Sequence, residues 1–330
     1  MISITGCGLK RVMNGRLALS LWIALALNAL SQGWAQESGQ PQKPFQIAVD
    51  VNLVLLHATV SDRKGNPVAD LASEAFEVYE EGTRQTIRLF RREDVPVTVG
   101  LVVDHSGSMR RKLNDVIGAA RTFVRLSHRE DEMFVINFNE RVTLGLADPA
   151  AFTNDSGELE SAILKAPTTG QTALYDAVIA GLKRLAVGHR DKKVLIVISD
   201  GGDNASTRGL SDVLRLAGQS NALIYTIGTF DDQDPDRNPD VLRRLSRATG
   251  GQAFFPRQLG EVVPICEHIA RDIRTQYTIG YTPANGAKPG VYRSVRVAAK
   301  RAGRGRLVVR TRAGYIAAGE SEPTQREEAQ

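Results

Sequence analysis

From residue 97 to 274, short apolar runs alternate with amphipathic stretches. Residues 97–103, 133–138, 194–199 and 223–228 are rich in Val, Ile and Leu and have the length of buried strands. Between them, apolar positions recur with the helical period over 110–127, 156–165, 172–187, 211–220, 240–249 and 261–274, and 252–255 adds a short strand. Strands that alternate with helices in this way predict a parallel sheet covered on both faces. Right-handed crossovers then place all the strand-to-helix turns along one edge of that sheet.

On either side the period changes to two. Ile47, Val49, Val51, Leu53 and Leu55 share one face of an expected strand, with Gln46, Ala48, Asp50 and Asn52 on the other. Asp62-Arg63-Lys64-Gly65-Asn66 and Glu80-Glu81-Gly82 are turn signals that flank strands near 76–79 and 86–90. Beyond Arg274, residues 277–281 read as a strand closed by Pro283. Residues 292–297 and 307–311 read as a hairpin around Arg301-Ala302-Gly303-Arg304-Gly305. Each flank offers about three strands, and sheets that small are marginal alone. The two flanks are therefore expected to pair, with the α/β unit inserted between them. The predicted fold class is α/β, a doubly wound, mostly parallel, Rossmann-like sheet with a β-rich support built from the flanking segments. The expected boundaries are a leader at 1–35, a linker at 36–45, β-rich segments at 46–95 and 275–317, the α/β domain at 96–274, and a disordered polar tail at 318–330.

The leader changes how the composition is read. Lys10, Arg11 and Arg16 precede an apolar run from Leu17 to Leu30, and Gly33 and Ala35 supply small residues for cleavage after Ala35. The run is shorter than the ~20 residues that span a bilayer, so a cleaved export signal is favoured over an anchor, which leaves no transmembrane segment in the mature chain. Export places the protein in the periplasm or outside the cell. Of the formal charge of +5, three basic residues belong to the leader, which carries no acid. That argues against nucleic acid as a partner. Cys7 leaves with the leader, so Cys266 stands alone and no intrachain disulfide forms in the mature chain. At 42% hydrophobic and 24% charged residues, the remainder has an ordinary globular composition.

Directly after the first apolar strand, Asp104-His105-Ser106-Gly107-Ser108 offers a carboxylate and two hydroxyls at alternate positions. Hard oxygen donors suit a hard divalent cation such as Mg²⁺. In an open α/β sheet, ligands bind beyond the carboxyl ends of the strands, and two more oxygen donors fall there. These are Thr172 in Gly170-Gln171-Thr172-Ala173-Leu174 and Asp200 in Ser199-Asp200-Gly201, which ends the most apolar strand.

Taken together, Asp-x-Ser-x-Ser, Gly-x-Thr-x-Leu and Ser-Asp-Gly resemble the von Willebrand factor type A domain over roughly residues 96–274. The resemblance implies that Asp104, Ser106, Ser108, Thr172 and Asp200 form a metal-ion-dependent adhesion site, with none of its five positions missing. It implies Mg²⁺, with Mn²⁺ or Ca²⁺ as alternatives, and an open coordination position that accepts an exposed Asp or Glu of a protein partner. Thr172 and Asp200 are then expected to shift between direct and water-mediated contact with the ion. The segments Val60-Ser61-Asp62-Arg63-Lys64-Gly65 and Ile279-Gly280-Tyr281-Thr282-Pro283 resemble, more loosely, those flanking this domain in a bacterial, acidobacterial-type subfamily.

Other candidates carry less. His105, at a variable position of the motif, is expected to face solvent. Asp231 to Asp236 is an acidic loop without the glycine and closing glutamate of an EF-hand loop. Arg293 to Arg312 holds eight basic residues and no acid, which among alternating apolar positions reads as a solvated strand face. Cys266 shares a helical face with Val262 and Ile269 and is expected to pack in the core. The chain has no His-Glu-x-x-His, Gly-x-Ser-x-Gly or Gly-x-x-x-x-Gly-Lys-Ser/Thr motif, so it is read as a non-enzyme. A metal-dependent hydrolase and a structural envelope protein with a silent metal site are the alternatives.

Overall fold

The computed structural model describes residues 53–317 apart from 93, 149–150, 231–235, 286–289 and 302–306. The expected leader, linker and tail lie outside the described residues, as do the start of the first β-rich segment, most of the acidic loop and the turn around Gly303.

Four strands precede the α/β unit: β1 (Val54–Ser61), β2 (Phe76–Glu80), β3 (Thr83–Gln85) and β4 (Ile87–Arg91). The central sheet then takes β5 (Val97–Asp104), β6 (Glu132–Phe138), β7 (Val142–Leu144), β8 (Lys192–Ser199), β9 (Leu223–Gly228) and β10 (Ala253–Phe254). Their order is β10-β9-β8-β5-β6-β7, and only the β6–β7 pair is antiparallel. From β5 the chain builds outward through β6 and β7, then returns to the other side of β5 with β8. The switch point of the sheet therefore lies between the carboxyl ends of β5 and β8, where open α/β sheets bind ligands.

Every residue of β5 and of β9 is buried, because helices cover both faces. Helices α1 (Leu113–Arg125), α2 (Ser156–Leu164) and α6 (Val262–Thr275) cover one face, where Phe123, Leu159 and Ile269 meet Val99, Leu101 and Val103. Helices α3 (Leu174–Ala186), α4 (Leu210–Gln219) and α5 (Pro239–Thr249) cover the other, where Leu182, Val213 and Leu242 share a core with Val102, Leu195 and Val197. Gly100 makes that second face possible, since a Cβ there would lie 2.5 Å from Phe134 Cζ and 2.7 Å from Leu195 Cδ1. Each fully buried aliphatic or aromatic side chain contributes roughly 1.5–3 kcal/mol. Cys266 belongs to this core, and burial pushes its thiol up to about 12, so packing is its role.

The flanking strands form two further four-stranded sheets together with β11 (Tyr277–Tyr281), β12 (Tyr292–Ala299), β13 (Val308–Arg310) and β14 (Gly314–Ile316). One has the order β13-β1-β11-β4 and the other β14-β12-β2-β3, so both mix strands from before and after the α/β unit. Leu56 pairs with Ile279 across β1–β11, and Val297 with Val78 across β12–β2.

Two details differ from the sequence reading. The inward face of β1 carries Leu56, Ala58 and Val60, while Leu53 is 38% exposed and Leu55 is half-buried, so the face expected from Leu53 and Leu55 is not the core face. The core between the sheets, made with Phe76, Val78, Tyr277 and Val297, selects the other register. Residues 292–297 and 307–311 also do not form a hairpin. One edge of β12 is taken by β2 and the other by β14, leaving β13 to pair with β1.

The basic run from Arg293 to Arg312 is in part used by the fold, while Arg296 and Lys300 remain exposed. Arg293 pairs with Glu80, Lys300 with Glu77, Arg301 with Asp70 and Arg310 with Asp272, while Arg296 stacks over the Tyr79 ring. Glu80 is the hub. Its buried carboxylate also accepts the hydroxyls of Tyr281 and Tyr315, joining β2, β11, β12 and β14. Burial, followed by the charge of Glu80, pushes the Tyr315 phenol up to about 12, so it remains a donor.

A second polar seam joins these sheets to the α/β unit. Tyr225 donates to Asp272 Oδ2 at 2.7 Å, and Gln276 Nε2 donates to Tyr225 Oη at 3.1 Å and to Thr59 Oγ1 at 3.3 Å. Among the described residues no helix is long and apolar enough to cross a membrane.

Replacing one partner of a buried ion pair strands the other, at a cost of about 3–5 kcal/mol. Glu80→Ala is therefore expected to lower the unfolding free energy obtained from urea denaturation by an amount of that order, and the midpoint with it. A midpoint equal to that of the wild type would remove Glu80 from this role.

Candidate metal centre

The site begins where β5 stops. Asp104 is fully buried; its Oδ1 accepts the backbone N–H of Ser106 at 2.8 Å and its Oδ2 accepts the Ser199 hydroxyl at 2.6 Å. The chain then turns into a short 3-10 segment, Gly107–Met109, which carries Ser108 outward. The Ser106 and Ser108 hydroxyls lie 3.1 Å apart, and Ser108 donates to Asp200 Oδ2 at 2.6 Å. Asp200 follows β8 directly, and its Oδ1 accepts the Gly202 N–H at 3.1 Å. Four of the five expected residues thus form one hydrogen-bonded cluster at the switch point, running from buried Asp104 to half-buried Ser108.

Thr172, the fifth, is brought to the same edge by backbone contacts. Its N–H donates to Asn204 Oδ1 at 2.9 Å, and its carbonyl accepts the N–H groups of Asn204 and Ala205 at 3.0 and 3.1 Å. The Gly170 carbonyl accepts from Gly107 N at 3.3 Å, tying the Thr172 loop to the Ser106–Ser108 loop. Gly170 has φ +84°, a left-handed conformation that disfavours side chains, and a Cβ there would overlap the Glu140 carboxylate.

Three residues that the sequence reading did not assign to the site support it. Ser199 holds Asp104 and also accepts Gly201 N–H at 3.0 Å. Asn204 holds Thr172. Asp203 accepts the Tyr175 N–H at 2.9 Å and the Ser206 hydroxyl at 2.6 Å, and Ser206 in turn accepts the Asp176 N–H at 3.1 Å. Helix α3 has no cap from its own N-cap residue, Ala173, so the loop after β8 satisfies its first turn from outside. The only sequence sign of this was the run of Asp, Asn and Ser after Gly202.

His105 is fully buried rather than solvent-facing. Its N–H donates to the Phe138 carbonyl at 2.6 Å and its carbonyl accepts Thr169 N–H at 2.9 Å, which turns the ring inward under the loop. Burial lowers its pKa, against the opposing influence of the Asn137 side chain and the Ala166 backbone.

The Asp104 carboxyl is raised to about 6, first by burial and then by the negative charge of Asp200, with hydrogen bonds from Ser106 and Ser199 opposing. Two carboxylates in contact with neutral hydroxyls, without a soft donor among them, form a set that fits a hard divalent cation. Among the described residues no group of three or more His, Cys, Asp or Glu side chains offers another metal cluster.

Comparison with known proteins agrees with this architecture. The von Willebrand factor type A domain family matches residues 98–263. Among curated proteins no match is found. Similar solved structures include a von Willebrand factor type A protein from Catenulispora acidiphila, at 14% identity over 68% of this chain and 67% of that one, with a TM-score of 0.48. Another is the vWF domain of the type V pili tip protein Mfa5 from Porphyromonas gingivalis, at 15% identity over 55% and 95% of the two chains, with a TM-score of 0.46. A third, proximal thread matrix protein 1 from the mussel byssus with a zinc-occupied MIDAS motif, shares 16% identity over 60% and 50%, with a TM-score of 0.47. With the family matched across half of its length, and with the sheet order and the loop cluster described above, this chain belongs to the von Willebrand factor type A domain family.

Proposed function

We propose that this chain is an exported, non-enzymatic protein-binding module whose partner presents an Asp or Glu carboxylate to a divalent cation. Asp104, Ser106, Ser108, Thr172 and Asp200 would hold the ion, with Mg²⁺ suited best and Mn²⁺ or Ca²⁺ next. When bound, the cation supplies an open position for a carboxylate oxygen. The observation that carries this reading is the hydrogen-bonded cluster of Asp104, Ser106, Ser108 and Asp200 at the switch point of the sheet.

The chain's own residues do the positioning. Ser199 orients the Asp104 carboxylate, Asn204 fixes the backbone of Thr172, and Asp203 holds the start of α3 against the loop that carries Asp200. The imidazole nearest in sequence, His105, is buried beneath the loop, which supports binding over hydrolysis. Residues 96–274 would be the binding domain, with 46–95 and 275–317 forming one support for it. Removal of residues 1–35 on export would leave the site facing the periplasm or the cell exterior.

A ligand that binds only the folded protein stabilises it by about 2.7 kcal/mol at a concentration one hundred times its Kd. Mg²⁺ is therefore expected to raise the unfolding temperature of the full chain. Asp104→Asn, which removes one of two like charges, is expected to stay folded and lose that response. A flat response to Mg²⁺, Mn²⁺, Ca²⁺ and Zn²⁺ in the wild type would sink the metal reading.

Loss of an N-terminal helix cap costs about 1 kcal/mol, so Asp203→Ala is expected to lower stability by that order and weaken Mg²⁺ binding in calorimetry. Asp203→Asn, which keeps an acceptor oxygen, is expected to retain most of both. Equal Mg²⁺ affinity in all three proteins would show that Asp203 does not position the site.

A further inference from the structure

Beside the metal cluster lies an open cavity of about 370 Å³ between the β6–β7 hairpin and the segment from Lys165 to Thr169. It shares a wall with the site. The Asn139 carbonyl accepts Ala173 N–H at 2.7 Å, and Glu140 Oε2 accepts Gln171 N–H at 3.2 Å, so the hairpin turn is bonded to the loop that carries Thr172. The cavity therefore lies next to the loop that carries Thr172.

Its charge is unbalanced. Arg141 and Lys165 stand on its rim, both exposed, and neither forms an ion pair among the described residues. Arg110 reaches the same segment, its Nη2 donating to the Thr168 carbonyl at 3.5 Å. Glu140 is the one acid among the lining residues, and its carboxylate is turned toward the Gly170–Gln171 backbone. The lining is polar, with Asn137, Asn139, Thr143 and Thr169 among its residues. A guanidinium and an ammonium, unpaired and exposed at the rim, favour a carboxylate over a neutral or cationic group.

We propose that this cavity receives a second acidic side chain of the same partner, so that the segment recognised carries two carboxylates. One would lie at the metal and the other between Arg141 and Lys165. The inference rests on the metal-dependent reading above and names the partner's chemistry, an acidic pair on one peptide segment. Electrostatic complementarity of this kind adds specificity beyond what a single metal–carboxylate contact can supply.

The test uses the full chain and fluorescein-labelled synthetic peptides of Gly and Ser carrying either one Glu or two Glu separated by one, two or three residues. Anisotropy is read in Mg²⁺ at fixed ionic strength. At one spacing the second Glu is expected to tighten binding about tenfold, equivalent to ~1.4 kcal/mol. The double variant Arg141→Gln/Lys165→Gln is expected to lose that gain while its affinity for the one-Glu peptide stays within twofold. Arg84→Gln/Arg88→Gln, with the same charge change on β3 and β4, is expected to keep the gain. No gain at any spacing, or a gain that survives in the Arg141/Lys165 variant, overturns the proposal. Failure of the underlying reading looks different, because the one-Glu peptide would then bind equally well, or equally poorly, in Mg²⁺ and in EDTA.

Discussion

Two carboxylates, Asp104 and Asp200, stand at the ends of neighbouring strands in a place that water scarcely reaches. Burial and their mutual repulsion both disfavour the charged form of Asp104, and the site is organised around that conflict. Hydrogen bonds to charged groups are worth about 1.5–3 kcal/mol each, whereas desolvating an ion costs several kcal/mol. The hydroxyls of Ser199 and Ser108 and the N–H groups of Ser106 and Gly202 therefore offset part of the penalty and leave the rest. The residual imbalance is negative charge surrounded by oxygen donors, the electrostatic condition under which a cation is favoured.

That arrangement depends on how the sheet is wound. Because β6 and β8 leave β5 in opposite directions, no crossover helix closes the gap between the ends of β5 and β8, and the loops there are free to meet. They meet through backbone hydrogen bonds: Gly107 to Gly170, Thr169 to His105, and Asn204 and Ala205 to Thr172. Such bonds between loops fix positions more firmly than exposed side-chain contacts would. Buried His105 belongs to the same stitching.

The flanking sheets are held by polar anchors as much as by apolar packing. Glu80 gathers an arginine and two tyrosines from strands far apart in sequence, and the Tyr225–Asp272–Gln276–Thr59 seam locks the end of α6 to β1. A buried ion pair of this kind is a weak source of net stability, but an unmatched partner is costly, so it disfavours other registers of the strands around it.

The α/β alternation and the membership of its strands were legible in the chain itself, because long apolar runs and helical periodicity are local properties. The placement of Asp104, Ser106, Ser108, Thr172 and Asp200 at one edge of the sheet was legible as well, since each ends a strand, lies in the turn after one, or precedes a helix. Three things were not. The inward face of β1 was decided by which neighbour it meets, since alternation alone allows either face. β13 went to β1 instead of β12 because both edges of β12 were already taken. His105 turned inward because Phe138 and Thr169, 33 and 64 residues along the chain, capture its backbone. Sequence by itself determined the elements and the chemistry at their ends, which depend on near neighbours. Only the tertiary structure decided edge pairing, inward face and burial, because these depend on which distant segments share a hydrogen bond or a core.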